Sequence, residues 1–305
     1  MSILDAFTQN ATFFYGVVAI VSLLVGSFLN VVIHRLPIMM ERAWREGIEE
    51  FDLEHGEKSP GQAQTDTDAK DLTPNEPEVF NLAVPRSRCP SCNHEISALQ
   101  NIPVISYLVL GGKCGNCKSG ISLRYPIVEF ATMMLSLIVA WQFGPTPQAL
   151  LGIVATWFLV SMTLIDFDHQ LLPDTLTLPL MWIGLLAALI PVFADLREAV
   201  IGAAAGYLIL WSVYQLFKIF TGKEGMGFGD FKLLAAIGAI LGWQALPVVI
   251  LLSSLVGAFV GIGIIAVTGR DKNIPIPFGP FLAAAGWIAM LWGESLSSWY
   301  YGFFN

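Results

Sequence analysis

The sequence predicts an all-α polytopic membrane protein, with about eight transmembrane helices and a cytosolic insertion between the first and the second. Three observations predict it. Only 13% of the 305 residues are charged, against about 25% in a soluble domain, and mean hydropathy is +0.64. The hydrophobic residues, 55% of the chain, fall in runs of about 20, the length that crosses a hydrocarbon core as helix. The charged residues gather between Arg35 and Arg124, where all four cysteines also lie.

The eight runs cover residues 13–33, 126–143, 147–165, 175–194, 198–220, 231–243, 244–267 and 278–296. Every backbone polar group in lipid needs an internal partner, so helix is the expected form for each. The first run has no basic region before it, and Arg35, Arg42 and Arg45 follow it. That is the pattern of a retained helix with its N-terminus outside rather than of a cleavable signal. The sixth run is short and lies tight against the seventh, and its Gly238 and Gly242 would let helices approach closely. Lys and Arg set the orientation. With the N-terminus outside, the inside segments 34–125, 166–174, 218–232 and 268–277 hold ten, zero, three and two of them, which is 15 of the 16 in the chain. Only Arg197 falls outside. Positive charge favours the cytoplasmic side. Without the sixth span, Arg270 and Lys272 would also fall outside. The chain thus divides into a first transmembrane helix (1–33), a cytosolic loop domain (34–125) and a membrane-embedded bundle (126–305).

The net charge is −8, and most of the acid lies from Glu46 to Glu78. That stretch also holds Pro60, Gly61, Gln62 and Gln64 and has little apolar periodicity. It reads as a solvated excursion. Docking of a basic substrate segment is the alternative.

The cysteines form Cys89-Pro-Ser-Cys92 and Cys114-Gly-Asn-Cys117, with 21 residues between the pairs. Two such knuckles supply the four thiolates of a tetrahedral zinc shell, each presenting a pair from a tight turn. Structural disulfides are not expected in a reducing cytosol. A shell of four thiolates leaves no open position, so the metal is structural. The alternatives are redox-active or incidental pairs, or a shell that takes His94 in place of one cysteine.

Asp166 closes the third span in Leu164-Ile165-Asp166-Phe167-Asp168-His169, and Asp230 opens the sixth in Gly227-Phe228-Gly229-Asp230. They are 64 residues apart, yet the charge count puts both at the cytoplasmic rim. Ionisable residues at the ends of bundled helices are functional candidates by default. Two carboxyls across a small gap resist joint ionisation and share a proton. One can then take a proton from water while the other polarises a carbonyl, as an aspartic protease requires. Glycines before Asp230 would admit an extended substrate backbone. The residues alone leave two other readings open: a proton relay for transport, and a solvated helix end with Asp168 at the surface and Asp174 as a helix N-cap.

Several of these motifs resemble a known family. Gly227-Phe228-Gly229-Asp230 is similar to the GxGD motif of membrane aspartic proteases, and Phe231-Lys232-Leu233 extends it to the form of bacterial prepilin peptidases. Ile165-Asp166 through Leu171-Leu172-Pro173-Asp174 resembles that family's other aspartate segment. The stretch Gly26 to Pro37, both cysteine knuckles and Arg124-Tyr125-Pro126-Ile127-Val128-Glu129 resemble its N-terminal part. The resemblance runs over almost the whole chain, with the motifs in order. It implies Asp166 and Asp230 as the catalytic pair, Gly227, Gly229 and Lys232 as their support, and Cys89, Cys92, Cys114 and Cys117 as zinc ligands. It also implies a bifunctional enzyme of the bacterial inner membrane. Such an enzyme cuts the basic leader of type IV prepilins and type II secretion pseudopilins after glycine, then methylates the new N-terminus with S-adenosylmethionine. No glycine-rich strand-turn-helix for that donor is visible. Gly112, in Gly111-Gly112-Lys113, is the candidate near it, with a turn glycine as the plain alternative. Glu129 would bind the substrate amine, pair with Lys232, or be merely interfacial. The acidic stretch is longer than the resemblance leads one to expect. The expected partners are the protein substrate and membrane lipid, with no nucleic acid. A non-catalytic assembly factor is the remaining rival.

Overall fold

The computed structural model describes residues 3–55, 80–97, 99–223, 225–268 and 277–302. Regular structure among them is helical, apart from two isolated bridges. A short α1 (Ile3–Gln9) leads into α2 (Ala11–His55). The segment between α2 and α4 contains α3 (Ile105–Val109). The bundle follows as α4 (Arg124–Phe143), α5 (Pro147–His169), α6 (Asp174–Ala187), α7 (Leu196–Thr221), α8 (Phe228–Leu241), α9 (Leu246–Thr268) and α10 (Gly279–Gly302). Most of the acidic stretch, with Arg270 and Lys272, lies outside the described residues.

Five helices are long and apolar enough to cross a membrane: α2, α4, α5, α7, and the stretch 243–263 that carries most of α9. The chain is therefore a multi-pass membrane protein by the length and composition of its helices. The runs read as the fourth and sixth spans form shorter helices. α6 and α8 have 14 residues each, whereas α10 has 24. Fourteen residues rise only about 21 Å, less than the roughly 30 Å of a hydrocarbon core. α8 need not reach across as a lipid-facing helix would, because it is the centre of the bundle. From Asp230 to Ile240 all but Lys232 are buried, and a helix apolar all round is a core helix.

The first helix also differs from its span. The apolar run stops near Ile33, but α2 continues for 45 residues in all, through Pro37. Hydropathy marks where lipid would end, whereas Met39, Met40, Glu41, Arg42 and Ala43 are all good helix formers and carry the helix onward. Arg35 is buried there and donates to the carbonyls of Asn81 (2.9 Å) and Pro85 (2.6 Å), which fastens the chain after Phe80 to α2.

Local chemistry sets the other boundaries. Thr146 accepts from the Ala149 amide ahead of Pro147, which starts α5, and Asp195 accepts from the Glu198 amide, which starts α7. Both are side-chain N-caps. Gly222 ends α7 in a left-handed conformation. Gly242 ends α8 in a different conformation, at φ 81° and ψ 169°, which also favours glycine. It is a stop and also a close-approach glycine, since a Cβ on Gly202 of α7 would lie 2.9 Å from its carbonyl carbon. Gly238 serves the same purpose. A Cβ on Gly238 would run into the backbone of Gly202 on α7, and a Cβ on Gly206 would stand 2.6 Å from the Leu234 carbonyl. Bare backbone on both helices lets α7 and α8 touch. Backbone cannot rotate away as a side chain can, so Gly202→Val is expected to cost at least the roughly 1–3 kcal/mol of ordinary overpacking. Thermal unfolding in detergent checks this.

Candidate active site

Four helix ends meet at one end of the bundle. α5 finishes in Asp166 to His169, and Gln170 follows in a left-handed conformation that turns the chain. Leu171, Leu172 and Pro173 then lead into α6. α8 opens after Gly227 with Asp230 in its first turn, and α10 opens at Gly279. The two aspartates face a common cleft of about 610 Å³. The turn 170–172, residues 225–229, Asp174, Lys232, Pro277, Phe278, and Met40 from α2 complete its lining.

Asp166 is 5% exposed and Asp230 7%. The Gly279 amide donates to Oδ2 of Asp166 at 3.0 Å. Oδ1 of Asp230 is buried with no hydrogen-bond partner among the described residues. A buried carboxyl oxygen left without a partner costs free energy, so it stands ready for water or a peptide group. The N-termini of α8 and α10 also direct the positive ends of their dipoles at this pair.

Leu172 wedges the site together. A Cβ on Gly229 would lie 2.5 Å from the Leu172 Cβ, while one on Gly227 would come no nearer than 3.8 Å to Asp230 Oδ2. Gly229 is thus required by packing, and Gly227 leaves open space beside the carboxyl. Gly229→Ala is expected to lower stability by about 1–3 kcal/mol. Gly227→Ala should unfold at the wild-type temperature, a contrast that parallel melts would test.

The charged neighbours pair differently from the sequence reading. Lys232 donates to both carboxylate oxygens of Asp174, at 2.6 and 2.7 Å. It does not pair with Glu129. Asp174 is the first residue of α6 and not its N-cap, a position that Pro173 takes. Asp168 is held by both terminal nitrogens of Arg124, which ties the end of α5 to the start of α4. These two ion pairs join elements far apart in sequence, and no local pattern announces them.

The cysteines form a second cluster, away from the cleft. Their four sulfurs all lie within 4.8 Å of one another, and Cys89 Sγ is 3.8 Å from Cys117 Sγ. Thiolates about 2.3 Å from a tetrahedral zinc stand about 3.8 Å apart, so this donor set suits such an ion. The knuckles share one design. The amides of Cys89 and Cys114 donate to the carbonyls of His94 and Ser119, and the amides of Asn93 and Lys118 donate back to Cys89 and Cys114. Asn93 and Lys118 both have positive φ, at 54° and 61°. The Ser91 amide and then the Ser119 hydroxyl pull the Cys89 thiol down to about 6, and Ser119 lowers that of Cys117. Both shifts favour the thiolate that a metal needs. His94 is exposed and outside the cluster.

Comparison with known proteins gives concordant matches along the chain. The bacterial peptidase A24 N-terminal domain family matches residues 20–143, and the type IV leader peptidase family matches residues 153–262. A prepilin leader peptidase/N-methyltransferase of Aeromonas hydrophila is 54% identical over 94% of this chain and 93% of its own length. That of Pseudomonas aeruginosa is 52% identical over 99% of both. The Legionella pneumophila protein of the same name is 47% identical over 95% of this chain and 96% of its own. The chain belongs to the type IV leader peptidase family. No solved structure matches it.

Two residues singled out through this leader peptidase resemblance lie off the cleft. Glu129 is buried on α4 and accepts from the Val104 amide at 2.7 Å. Val104 has φ 58°, a strained conformation for a β-branched residue, and Glu129 holds it. A Cβ on Gly26 would come within 2.8 Å of the Glu129 Cα, so Glu129 sits where α2 crosses α4 and tethers the insertion to that crossing. Gly112 has φ 69°, accepts from the Ile121 amide and donates to the Tyr107 carbonyl. A Cβ there would meet the Tyr107 hydroxyl at 2.7 Å. Its geometry is that of a turn packed under a tyrosine. Sequence reasoning missed Gly279, Leu172 and Met40. Gly279-Pro280 does carry a helix-start signal, but nothing in it points to Asp166.

Proposed function

We propose that this chain removes the basic leader of type IV prepilins and type II secretion pseudopilins, cutting after glycine, and then N-methylates the new terminus. Membership of the leader peptidase family over nearly the full length supports both steps. The observation that carries the peptidase reading is the cleft itself. Two buried carboxyls from separate helices line it together, one held by an amide and the other with an unsatisfied oxygen.

In this reading Asp166, accepting the Gly279 amide, is the base. It takes a proton from water, and the oxygen attacks the scissile carbonyl carbon. Asp230 carries the shared proton on its unpartnered oxygen and gives it to the carbonyl oxygen as the tetrahedral species forms. On collapse a diol hydroxyl returns its proton to Asp230 as the carbonyl re-forms, the C–N bond breaks, and Asp166 passes the proton taken from water to the leaving amine. Water and peptide thus become an acid and an amine. The open space beside Gly227 admits the extended backbone that cleavage needs. Gly229 and Lys232 support the pair, one by close packing and the other through Asp174.

The four thiolates Cys89, Cys92, Cys114 and Cys117 would hold a structural zinc that staples the insertion. S-adenosylmethionine is the methyl donor implied by the second activity, and Gly112 is the candidate residue near it. All eight helices belong to the membrane bundle in this account. The N-terminus is periplasmic, the membrane is the bacterial inner membrane, and the cleft opens to the cytoplasm, where Lys and Arg are concentrated.

The test is incubation of purified protein with a prepilin and labelled methyl donor. The expected product has lost its leader and gained one labelled methyl group, read by mass. Proton flux in liposomes without any leader loss would favour the relay reading instead.

A further inference from the structure

We propose that Gly279, the first residue of α10, is a positioning residue for Asp166, which makes the start of the last helix part of the peptidase site. The proposal rests on the leader peptidase reading above. It concerns a residue beyond the segment 153–262 matched by the peptidase family.

The Gly279 amide opens a helix and has no partner within it. Pro280, next in line, has no N–H at all. The following two amides, Phe281 and Leu282, both turn back to the Phe278 carbonyl. Gly279 therefore brings the one uncommitted donor of this helix start, and that donor goes to Asp166 Oδ2 at 3.0 Å. Pro277 and Phe278, just before it, line the same cleft.

Glycine is needed here for closeness and not for backbone freedom. Gly279 is absent from the glycines with positive φ, which are Gly111, Gly112, Gly144, Gly222 and Gly242. Its backbone could carry any side chain. A Cβ would nevertheless lie 2.5 Å from Asp166 Oδ2 and 3.0 Å from Leu172 Cδ1. The missing side chain and the spare amide act on the same oxygen. Together they fix where the carboxylate can sit.

Gly279→Ala in the full-length membrane protein tests this. The added methyl group displaces the carboxylate by a fraction of its own size. Misplacing a reacting group by about 1 Å can cost about 100-fold in rate. The expected result is a fall in kcat for leader cleavage of about that order, with KM within about twofold, since no lining residue is removed. Methylation of an already cleaved pilin and the amount of inserted protein stay at wild-type levels. Gly286→Ala is the control on the same helix. Its Cβ meets the buried Ile237, at 2.7 Å from Cδ1 and 3.0 Å from Cγ1, so it crowds the bundle to a similar degree but away from the cleft, and cleavage should persist. Wild-type kcat in Gly279→Ala would overturn the proposal. So would equal loss of cleavage and methylation, or an equal loss in Gly286→Ala, because either marks a general disturbance of the fold. If the unsubstituted protein cleaves no prepilin, the leader peptidase reading fails and takes this proposal with it.

Discussion

Asp230→Asn should lower leader cleavage by about 10²–10⁴-fold, the range that a positioned acid or base contributes, and Asp166→Asn should do the same. The substitution keeps size and shape, so the buried packing around both positions survives. Asp230 is the more informative of the two. Its Oδ1 is buried without a partner among the described residues, and asparagine leaves the cavity filled while removing the transferable proton. Asp166→Asn places either an oxygen or an NH₂ opposite the Gly279 amide, and only the oxygen suits that donor. Both variants should insert normally and still methylate a pilin that has already lost its leader. Mass analysis of the processed pilin reads both activities at once. Full cleavage by either variant would remove the carboxyl pair from the mechanism.

The second large effect concerns the cysteines. Cys114→Ser is expected to abolish stoichiometric zinc and to unfold the segment around both knuckles. Structural zinc supplies about 10–16 kcal/mol of apparent binding free energy in small domains. Here it would hold two turns that otherwise rest on a few backbone hydrogen bonds and two isolated bridges. No other part of the segment offers comparable stabilisation, since α3 has five residues and none is buried. The outcome to measure is metal per protein, together with proteolysis between residues 86 and 123. Cleavage of prepilin should fall much less than zinc content, because no described residue from 80 to 123 lines the cleft. Unchanged zinc in Cys114→Ser would refute the quartet. A loss of cleavage as deep as that of Asp230→Asn would mean that the insertion shapes the cleft.

Particular residues show how far the sequence could be read. The knuckles were legible because their geometry is local. Two cysteines three apart in a turn converge whatever surrounds them, and the sulfur spacing here fits that reading. The five long apolar helices were legible for the same reason, since lipid selects composition directly. The shorter α6 and α8 were legible as apolar runs, but not as helices shorter than a bilayer. Their hydropathy is the same whether they face lipid or one another. Asp174 looked like a cap and is an ion-pair partner, and Glu129 holds a strained valine amide in place of a lysine. In each case the deciding group comes from another element.

Residue types and spacing by themselves determined the membrane character, the two cysteine pairs that cluster and the pair of aspartates worth weighing. Those properties depend on composition or on a few consecutive residues. Only the tertiary structure decided that Asp166 and Asp230 share one cleft, that Gly279 steadies the first and that Leu172 wedges beside both. Side chains 64 residues apart meet only if their helices cross at the right height. That height is set by backbone contacts such as Gly202 with Gly238. Contacts through space leave no period along the chain.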